Sequence, residues 1–200
     1  MNTWLISDTH FYHTNIIKYC RHQFKNVDDM NHRIIKNWNA TIDKDDIVYH
    51  LGDFALVGTN TYDCIYEEYI TIVVNDLLSQ LNGKIYFIFG NNDTYLKSAY
   101  EKNYNLAFEQ CKEMYEKDDF ILTHKPMLEV PYDKVNIHGH IHNNELLINE
   151  YKKKQWFNVS IEVLNYFPIN LNNIRKRYRN FLWERKNAAK KKYERKIRSF

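Results

Sequence analysis

The sequence predicts an α/β fold, and three observations lead to this prediction. Short apolar runs recur along the chain, longer amphipathic stretches separate them, and turn-forming residues follow the runs. Short runs rich in β-branched and aromatic residues are typical of buried strands, and strands that alternate with helices indicate a sheet covered by helices. The five strands predicted in this way are residues 3–7, 46–51, 84–89, 119–123 and 134–137.

The stretches between the first three strands have helical periodicity. Up to about residue 42, apolar side chains recur every four residues, and Asp28 or Asp29 is the expected N-cap. Residues 61–81 carry a second apolar stripe, which ends before Asn82-Gly83, a pair typical of a helix C-terminus. The stripes consist of Met30, Ile34 and Trp38 in the first helix and of Ile65, Tyr69, Ile72, Val73, Leu77 and Leu81 in the second.

The rest of the chain has a weaker pattern. Residues 94–116 are polar and are predicted to be helical in pieces, whereas residues 145–149 and 156–164 are predicted to pair as a terminal hairpin. Neither an internal repeat nor a low-complexity linker interrupts the body. We therefore expect one domain over residues 1–170, followed by a basic helical C-terminal extension over residues 171–200.

Charge separates this extension from the body. From Arg175 to Phe200 there are twelve Lys or Arg and two Glu, a net charge of +10, whereas the preceding residues carry a net charge of −7. The apolar residues Ile174, Tyr178 and Phe181 (or Leu182) predict that the first half of the helix packs on the body. The basic face fits a solvated surface, a nucleic-acid contact, or a membrane-surface or oligomer contact.

Composition narrows the class of protein. The 200 residues are 44% hydrophobic and 26% charged, as in ordinary globular proteins. No segment has the length and apolarity of a membrane span, and we expect no signal peptide. Cys20, Cys64 and Cys111 are odd in number and form no CxxC motif, which favours reduced thiols in the cytoplasm.

Metal-capable side chains follow all five predicted strands. Because sites in open α/β sheets form beyond the carboxyl ends of the strands, we expect these side chains to lie close together. A lone DxH or GD motif is weak evidence, but five runs that deliver ligands to one edge are not explained by turns alone. In strand order, the residues are Asp8 and His10, then Asp53, Asn91, His124, and finally His140 and His142.

This set of ligands fits a hydrolytic metal centre, and the two imidazoles of the HxH motif can approach one ion or bracket two. Mixed carboxylate and imidazole ligands suit Mn²⁺, Fe or Zn²⁺ better than Mg²⁺ or Ca²⁺. Two divalent ions carry four positive charges, of which Asp8 and Asp53 neutralise only two. The surplus charge attracts a phosphate ester and acidifies a bound water molecule, and we expect a metal-bridging hydroxide to be the nucleophile.

The motifs DxH, GD, GN, H and GHxH, in this order over residues 4–142, resemble those of the calcineurin-like metallophosphoesterases. Residues 158–171 also resemble the closing strand region of the family's small prokaryotic and phage-type members. The resemblance implies a two-sheet α/β/β/α sandwich with a dinuclear metal centre. By motif position, it implies that one metal is held by Asp8, His10 and His142, the other by Asn91, His124 and His140, and that Asp53 bridges both.

One position departs from the family pattern. Asn92 occupies the place of the histidine in the family's GNH motif, which is assigned to transition-state stabilisation or to protonation of the leaving group. An amide donates hydrogen bonds but cannot donate a proton at neutral pH. Three interpretations follow: a phosphodiesterase that tolerates the loss, an enzyme in which His13 replaces the acid, or a metal-bound scaffold.

The remaining polar residues near the motifs have supporting roles in this interpretation. Asn91, Asn92 and Lys125 are candidates for contact with a substrate phosphate. Asp93 is expected to hold the turn or a ligand imidazole, and His50 is expected to be a core residue or to support the ligands. His138 is expected to face away from His140 or to orient a ligand, whereas His22 and His32 are expected on helix surfaces.

The sequence thus predicts a cytoplasmic phosphoesterase that uses two divalent ions of Mn, Fe or Zn, with Mn favoured, and prefers diesters. Its substrate would be a nucleotide, a cyclic nucleotide or a nucleic-acid end. Two alternatives remain open. In the first, the chain is a catalytically weak metal-bound binding module. In the second, it is a nuclease whose basic tail holds nucleic acid.

Overall fold

A computed structural model of the protein describes residues 1–58, 66–144 and 155–197, with side chains to residue 188. The first of its two sheets has the strand order β4-β3-β2-β1-β9. Strands β1 to β4 run parallel, and the short β9 pairs with β1 in the antiparallel direction. The strands are β1 (Thr3–Ile6), β2 (Ile47–His50), β3 (Lys84–Ile88), β4 (Gln110–Lys112) and β9 (Ile169–Asn170).

The second sheet has the order β5-β6-β7-β8, with β6 to β8 parallel and β5 antiparallel to β6. Its strands are β5 (Met114–Lys117), β6 (Phe120–Thr123), β7 (Val135–His138) and β8 (Trp156–Asn158). The two parallel-rich sheets with helices confirm the predicted two-sheet α/β sandwich.

Two hydrophobic cores hold the layers together. The first lies between the first sheet and four helices, where Trp38 and Val74 pack with Val48 and Phe87. The second joins the facing sides of the two sheets, where Leu5 and Ile88 meet residues such as Phe120 and Ile137. The four helices are α1 (Ile16–Cys20), α2 (Val27–Thr41), α3 (Tyr66–Ser79) and α4 (Thr94–Glu101).

Helix α5 (Leu171–Ile197) forms most of the basic extension. Leu171, Ile174, Tyr178 and Leu182 are buried in the second core, which confirms that the first half of this helix packs on the body. None of the helices in the described part of the chain combines the length and apolar character that a membrane span needs.

Several details differ from the sequence-based expectations. Asn26, rather than Asp28 or Asp29, caps α2, and its side chain accepts a hydrogen bond from the backbone of Asp29. The predicted helical pieces over 94–116 were half wrong, because α4 ends at Glu101 and β4 and β5 follow it.

The second strand of the predicted terminal hairpin is shorter than expected, and its pairing with residues 145–149 stays a prediction. Trp156–Asn158 pairs in parallel with β7, and residues 161–164 form a 3₁₀ turn instead of continuing a strand. The other half of the hairpin, residues 145–149, lies outside the described residues, as do residues 61–65 of the second predicted helix and Cys64.

Candidate metal centre

The carboxyl ends of strands from both sheets meet at one edge. In the first sheet, the backbone N–H of Asp8, which follows β1, donates to the carbonyl of Gly52, which follows β2 (2.9 Å). In the second, Gly139 after β7 donates to the carbonyl of His124 after β6 (2.9 Å). The N–H of Ser7 donates to the carbonyl of Val159 (3.1 Å) and so joins the two sheets. The motif residues therefore converge from separate sheets.

Five of the predicted ligands have a left-handed backbone. A positive φ is uncommon outside glycine, and such strained residues cluster at functional sites because the surrounding structure must hold them. Of the ten non-glycine residues with positive φ in the described chain, five are predicted ligands: Asp8 (59°), His10 (49°), Asp53 (55°), His140 (70°) and His142 (47°). The strand ends are thus bent sharply where the ligands stand.

Glycines allow the strand ends to approach this closely. A Cβ atom built on Gly139 would collide with the side chains of Ser7 and Asp8, and one on Gly90 would collide with Asp53. Because glycine has no side chain, there is room at these positions for the carboxylates. Gly139 and Gly90 are therefore part of how the sequence builds the site.

Gly139→Ala is expected to lower the affinity for Mn²⁺ by about 10- to 100-fold, because the added methyl group displaces the Asp8 carboxylate. Isothermal titration of the metal-free protein with Mn²⁺ measures the effect. Gly58→Ala is the matched control, since no described atom lies within 4 Å of a Cβ built there. Equal affinity in Gly139→Ala and wild type would contradict this account of the turn.

One group of ligand atoms already has the arrangement of a metal site. The side chains of Asp8, His10, Asp53 and His142 each place a ligand atom within 4.8 Å of those of the other three. His10 Nε2 lies 3.4 Å from Asp53 Oδ2 and, although buried, has no hydrogen-bond partner among the described residues. A buried lone pair beside two carboxylates fits a divalent cation.

The protonation state of His10 agrees with a metal site. Burial, followed by the positive charge of Arg21, holds the pKa of His10 well below its ordinary value, so its imidazole is neutral and able to bind a metal. Burial also lowers the pKa of His142, but hydrogen bonds to Cys20 and Glu162 and the charges of Glu162 and Asp8 outweigh burial and raise it to about 10. Without a metal, a proton on His142 balances the carboxylates.

The second predicted group lies on the other side of Asp53. His124 Nε2 is 3.0 Å from Asn91 Oδ1 and 3.6 Å from Asp53 Oδ1, and the ring centroids of His124 and His140 are 5.0 Å apart. The two oxygens of Asp53 thus face one histidine each, His10 and His124. This is the position that a carboxylate bridging two metals would need.

The residues proposed for catalysis are close to Asp53 and His10. Asn92 donates to both Asp53 oxygens, from its backbone N–H (2.9 Å) and from its side-chain Nδ2 (2.6 Å). His13 Nδ1 lies 3.1 Å from His10 Nδ1, so the loop after β1 does bring His13 to the site. Lys125 is exposed and lines a cavity with Asn91.

Buried polar residues brace this edge. The carboxylate of Asp93 accepts from the backbone N–H groups of Gly90 (2.6 Å), Asp53 (2.6 Å) and Phe54 (3.0 Å), which confirms that it holds the turn. His50 is fully buried with Nε2 2.9 Å from Thr9 Oγ1, as expected of a core residue that supports the ligand loop.

Sequence reasoning missed Glu162 and Arg21. The Glu162 Oε1 atom lies 3.0 Å from His142 Nδ1 and 2.7 Å from Arg21 Nη2. Arg21 is completely buried and also donates to the backbone carbonyls of Thr9 (2.7 Å) and Asp8. The one signal in the sequence is an acidic residue within the apolar stretch 159–164.

Comparisons with known proteins agree with this geometry. The family described as calcineurin-like phosphoesterase matches residues 1–197. An uncharacterized protein of Methanocaldococcus jannaschii is 40% identical over 174 residues, which cover 84% of this chain and 86% of that protein.

Two solved structures align with this chain. A protein of unknown function from Aquifex aeolicus has a TM-score of 0.62 at 25% identity, covering 88% of this chain and 98% of that one. The Pseudomonas putida nuclease MPE has a TM-score of 0.42 at 19% identity, covering 70% and 60% of the two chains.

Proposed function

Because the chain belongs to the calcineurin-like phosphoesterase family, we propose that it hydrolyses phosphodiesters at a dinuclear metal centre. The observation that supports this proposal most directly is the convergence of Asp8, His10, Asp53 and His142 at one sheet edge. Four ligands of mixed carboxylate and imidazole type favour Mn²⁺, Fe or Zn²⁺, of which we favour Mn²⁺.

The ligands divide into two sets around Asp53. Asp8, His10 and His142 would hold one ion, Asn91, His124 and His140 would hold the other, and Asp53 would contribute to both. When bound, the ions polarise the phosphoryl oxygens and lower the pKa of a water molecule.

The chain's own groups orient this centre. Asn92 donates two hydrogen bonds to Asp53 and so fixes the rotation of its carboxylate. Glu162 accepts from Nδ1 of His142, which leaves Nε2 as the ligand atom, as in many carboxylate–histidine–metal arrangements. Arg21 is a positioning residue that holds both Glu162 and the backbone carbonyl of Thr9, between Asp8 and His10. Among the residues proposed for catalysis, His13 is the candidate for a proton donor.

The proposal is tested by comparing bis(p-nitrophenyl) phosphate with p-nitrophenyl phosphate, each with Mn²⁺ and with a chelator. Diester turnover that requires Mn²⁺ and exceeds monoester turnover is the expected result. Two bound ions without turnover of either ester would favour the scaffold alternative. Monoester turnover above diester turnover would contradict the diester preference and leave the metal-dependent phosphoesterase in place.

Asn92→His is expected to raise the rate for monoesters with alkoxide leaving groups. General acid catalysis contributes about 10²–10⁴-fold, and its absence costs most where the leaving group is poor. The measurement is kcat/KM for methyl phosphate beside p-nitrophenyl phosphate, and Asn92→Gln is the control that keeps an amide. If the alkyl ester gains nothing over the aryl ester, position 92 is not the acid position or His13 already donates the proton.

The described half of the basic helix gives little support to the nuclease alternative. Arg175 pairs with Asp118 and Lys186 pairs with Asp119 at 2.6 Å. Both carboxylates precede the start of β6, whereas His124 follows its end, so the backbone of Asp118 and Asp119 lies about 13 Å or more from that of His124 along the strand. Deleting residues 175–200 would also remove Tyr178 and Leu182 from the second core, so a truncation that tests the tail must begin beyond residue 188.

A further inference from the structure

A cavity of about 370 Å³ opens beside the Asn91–His124 half of the centre. It lies between the ends of β3 and β6, and residues from both sheets line it. This volume is at the lower end of the range for small-molecule sites. The cavity is therefore large enough for part of a substrate that extends away from the phosphate.

The walls of the cavity differ in chemistry. Asn91 and His124 form the wall next to the metal ligands, and the exposed Lys125 adds a cation there. Phe89 supplies an aromatic wall and Glu113 a carboxylate at the rim. A phosphate ester bound at the centre would meet Lys125 and Phe89 with different parts of the molecule.

The ring of Phe89 is held in place from behind. It makes an edge contact with Phe87, with centroids 5.4 Å apart and planes at 82°, and its centroid lies 5.7 Å from that of Tyr100. Phe89 is nevertheless only partly buried. A partly exposed ring that is packed from behind offers a stacking surface at little cost in side-chain entropy.

The rim is charged rather than apolar. Glu113 forms a 2.6 Å ion pair with Lys97, and both side chains are well exposed to solvent. A lipid chain entering the cavity would desolvate these groups without replacing their hydrogen bonds. A nucleobase has an apolar face that can stack on Phe89 and polar edges that can hydrogen-bond to a carboxylate and an ammonium group. Its chemistry therefore matches both walls of the cavity.

We infer that this cavity binds the alcohol part of the phosphate ester, and that this part carries a flat aromatic group of nucleobase size stacked on Phe89. Lys125 contacts the phosphate, and Phe89 sets the specificity. The inference rests on the proposed phosphoesterase function and names its substrate class, a nucleotide or nucleotide-like ester.

The test compares adenosine 5′-monophosphate, phenyl phosphate and methyl phosphate as competitive inhibitors of bis(p-nitrophenyl) phosphate hydrolysis by the Mn²⁺-loaded protein. Stacking of one base on an aromatic side chain changes affinity by between about 5-fold and about 150-fold. We expect the nucleotide to bind more tightly than methyl phosphate by a factor in this range. Phe89→Ala should remove most of the difference without weakening methyl phosphate.

Two further variants keep the result interpretable. Phe89→Leu keeps apolar volume against Phe87 but loses the flat ring, and it replaces Phe89→Ala if that variant does not fold. Tyr95→Leu is the matched control, because Tyr95 is an exposed aromatic residue of α4 whose ring contacts Tyr66. Wild-type selectivity in Tyr95→Leu and lost selectivity in Phe89→Leu would support the inference.

Calorimetric titration of the same three phosphates separates this inference from the proposed function. Selective nucleotide binding without hydrolysis would contradict the phosphoesterase proposal and support the cavity. Hydrolysis with equal affinity for the nucleotide and methyl phosphate would overturn the cavity inference, as would selectivity that survives in Phe89→Ala. Phenyl phosphate that binds as tightly as the nucleotide would overturn the assignment of a group of nucleobase size.

Discussion

Asp53→Asn is expected to lower kcat/KM for bis(p-nitrophenyl) phosphate by a factor on the order of 10³ or more, which exceeds the loss of one electrostatic donor at an active site. In the proposed centre, Asp53 is the residue that both ligand sets would share, with its oxygens 3.4 Å from His10 Nε2 and 3.6 Å from His124 Nε2. An amide lacks the negative charge that holds two cations close together. Its NH₂ group would also face one ion with hydrogens.

The variant tests the site because the rest of the structure around position 53 stays in place. The backbone N–H of Asp53 still donates to Asp93, so the turn is expected to remain folded. Activity with Mn²⁺, the metal content after gel filtration and near-UV circular dichroism are measured together. Asp133→Asn, which removes an exposed carboxylate, is the control. A folded Asp53→Asn protein with more than a tenth of wild-type activity would exclude a bridging role.

Arg21→Met is expected to lower the free energy of unfolding by about 3–5 kcal/mol, the cost of breaking a buried ion pair from one side. Arg21 is completely buried and the side chain of Glu162 is 4% exposed. Burial alone raises the pKa of Glu162, but the hydrogen bond from His142 and the charge of Arg21 bring it down to about 2. Removing the guanidinium group leaves a buried carboxylate without its main counter-charge.

Urea denaturation of the single and double variants measures this effect. Arg21→Met combined with Glu162→Gln removes both charges and should be less destabilised than the sum of the single variants. Lys102→Met breaks the ion pair with Glu67, in which the Lys side chain is 56% exposed, and should cost much less because solvent screens this pair. Equal losses of unfolding free energy in Arg21→Met and Lys102→Met would show that the buried ion pair contributes no more to stability than the exposed one.

A second readout separates positioning from stability. If Glu162 orients His142, then Glu162→Gln should weaken Mn²⁺ binding by about 10- to 100-fold at a temperature where the variant is fully folded. A purely structural role would lower the unfolding free energy and leave the affinity unchanged.

Much of the fold followed from local patterns. The strands β1, β2, β3, β6 and β7 are short apolar runs, and each lies within two residues of its predicted bounds. Buried central strands must be apolar on both faces, so their sequence signal is strong. The edge strands β4 and β5 bury little more than Cys111 and Tyr115, and their alternation is too brief to distinguish from a polar helix.

The sequence by itself determined which residues stand at the strand ends. Once a strand is recognised from its apolar run, the position of its end is known to within a residue or two. The motifs from Asp8 to His142 follow these strand ends, and this located the candidate ligands. The same local logic assigned Asp93 to the turn, where it accepts three backbone hydrogen bonds.

Only the tertiary structure decided how these residues are held. Glu162 and Arg21 are 141 residues apart in sequence, and no local pattern relates them. The side-chain amide of Asn92 donates to Asp53, and Phe89 lines a cavity built from both sheets. Such contacts join residues that are far apart in sequence. Local periodicity fixes where a side chain leaves its strand, but the partner it meets is set by long-range packing.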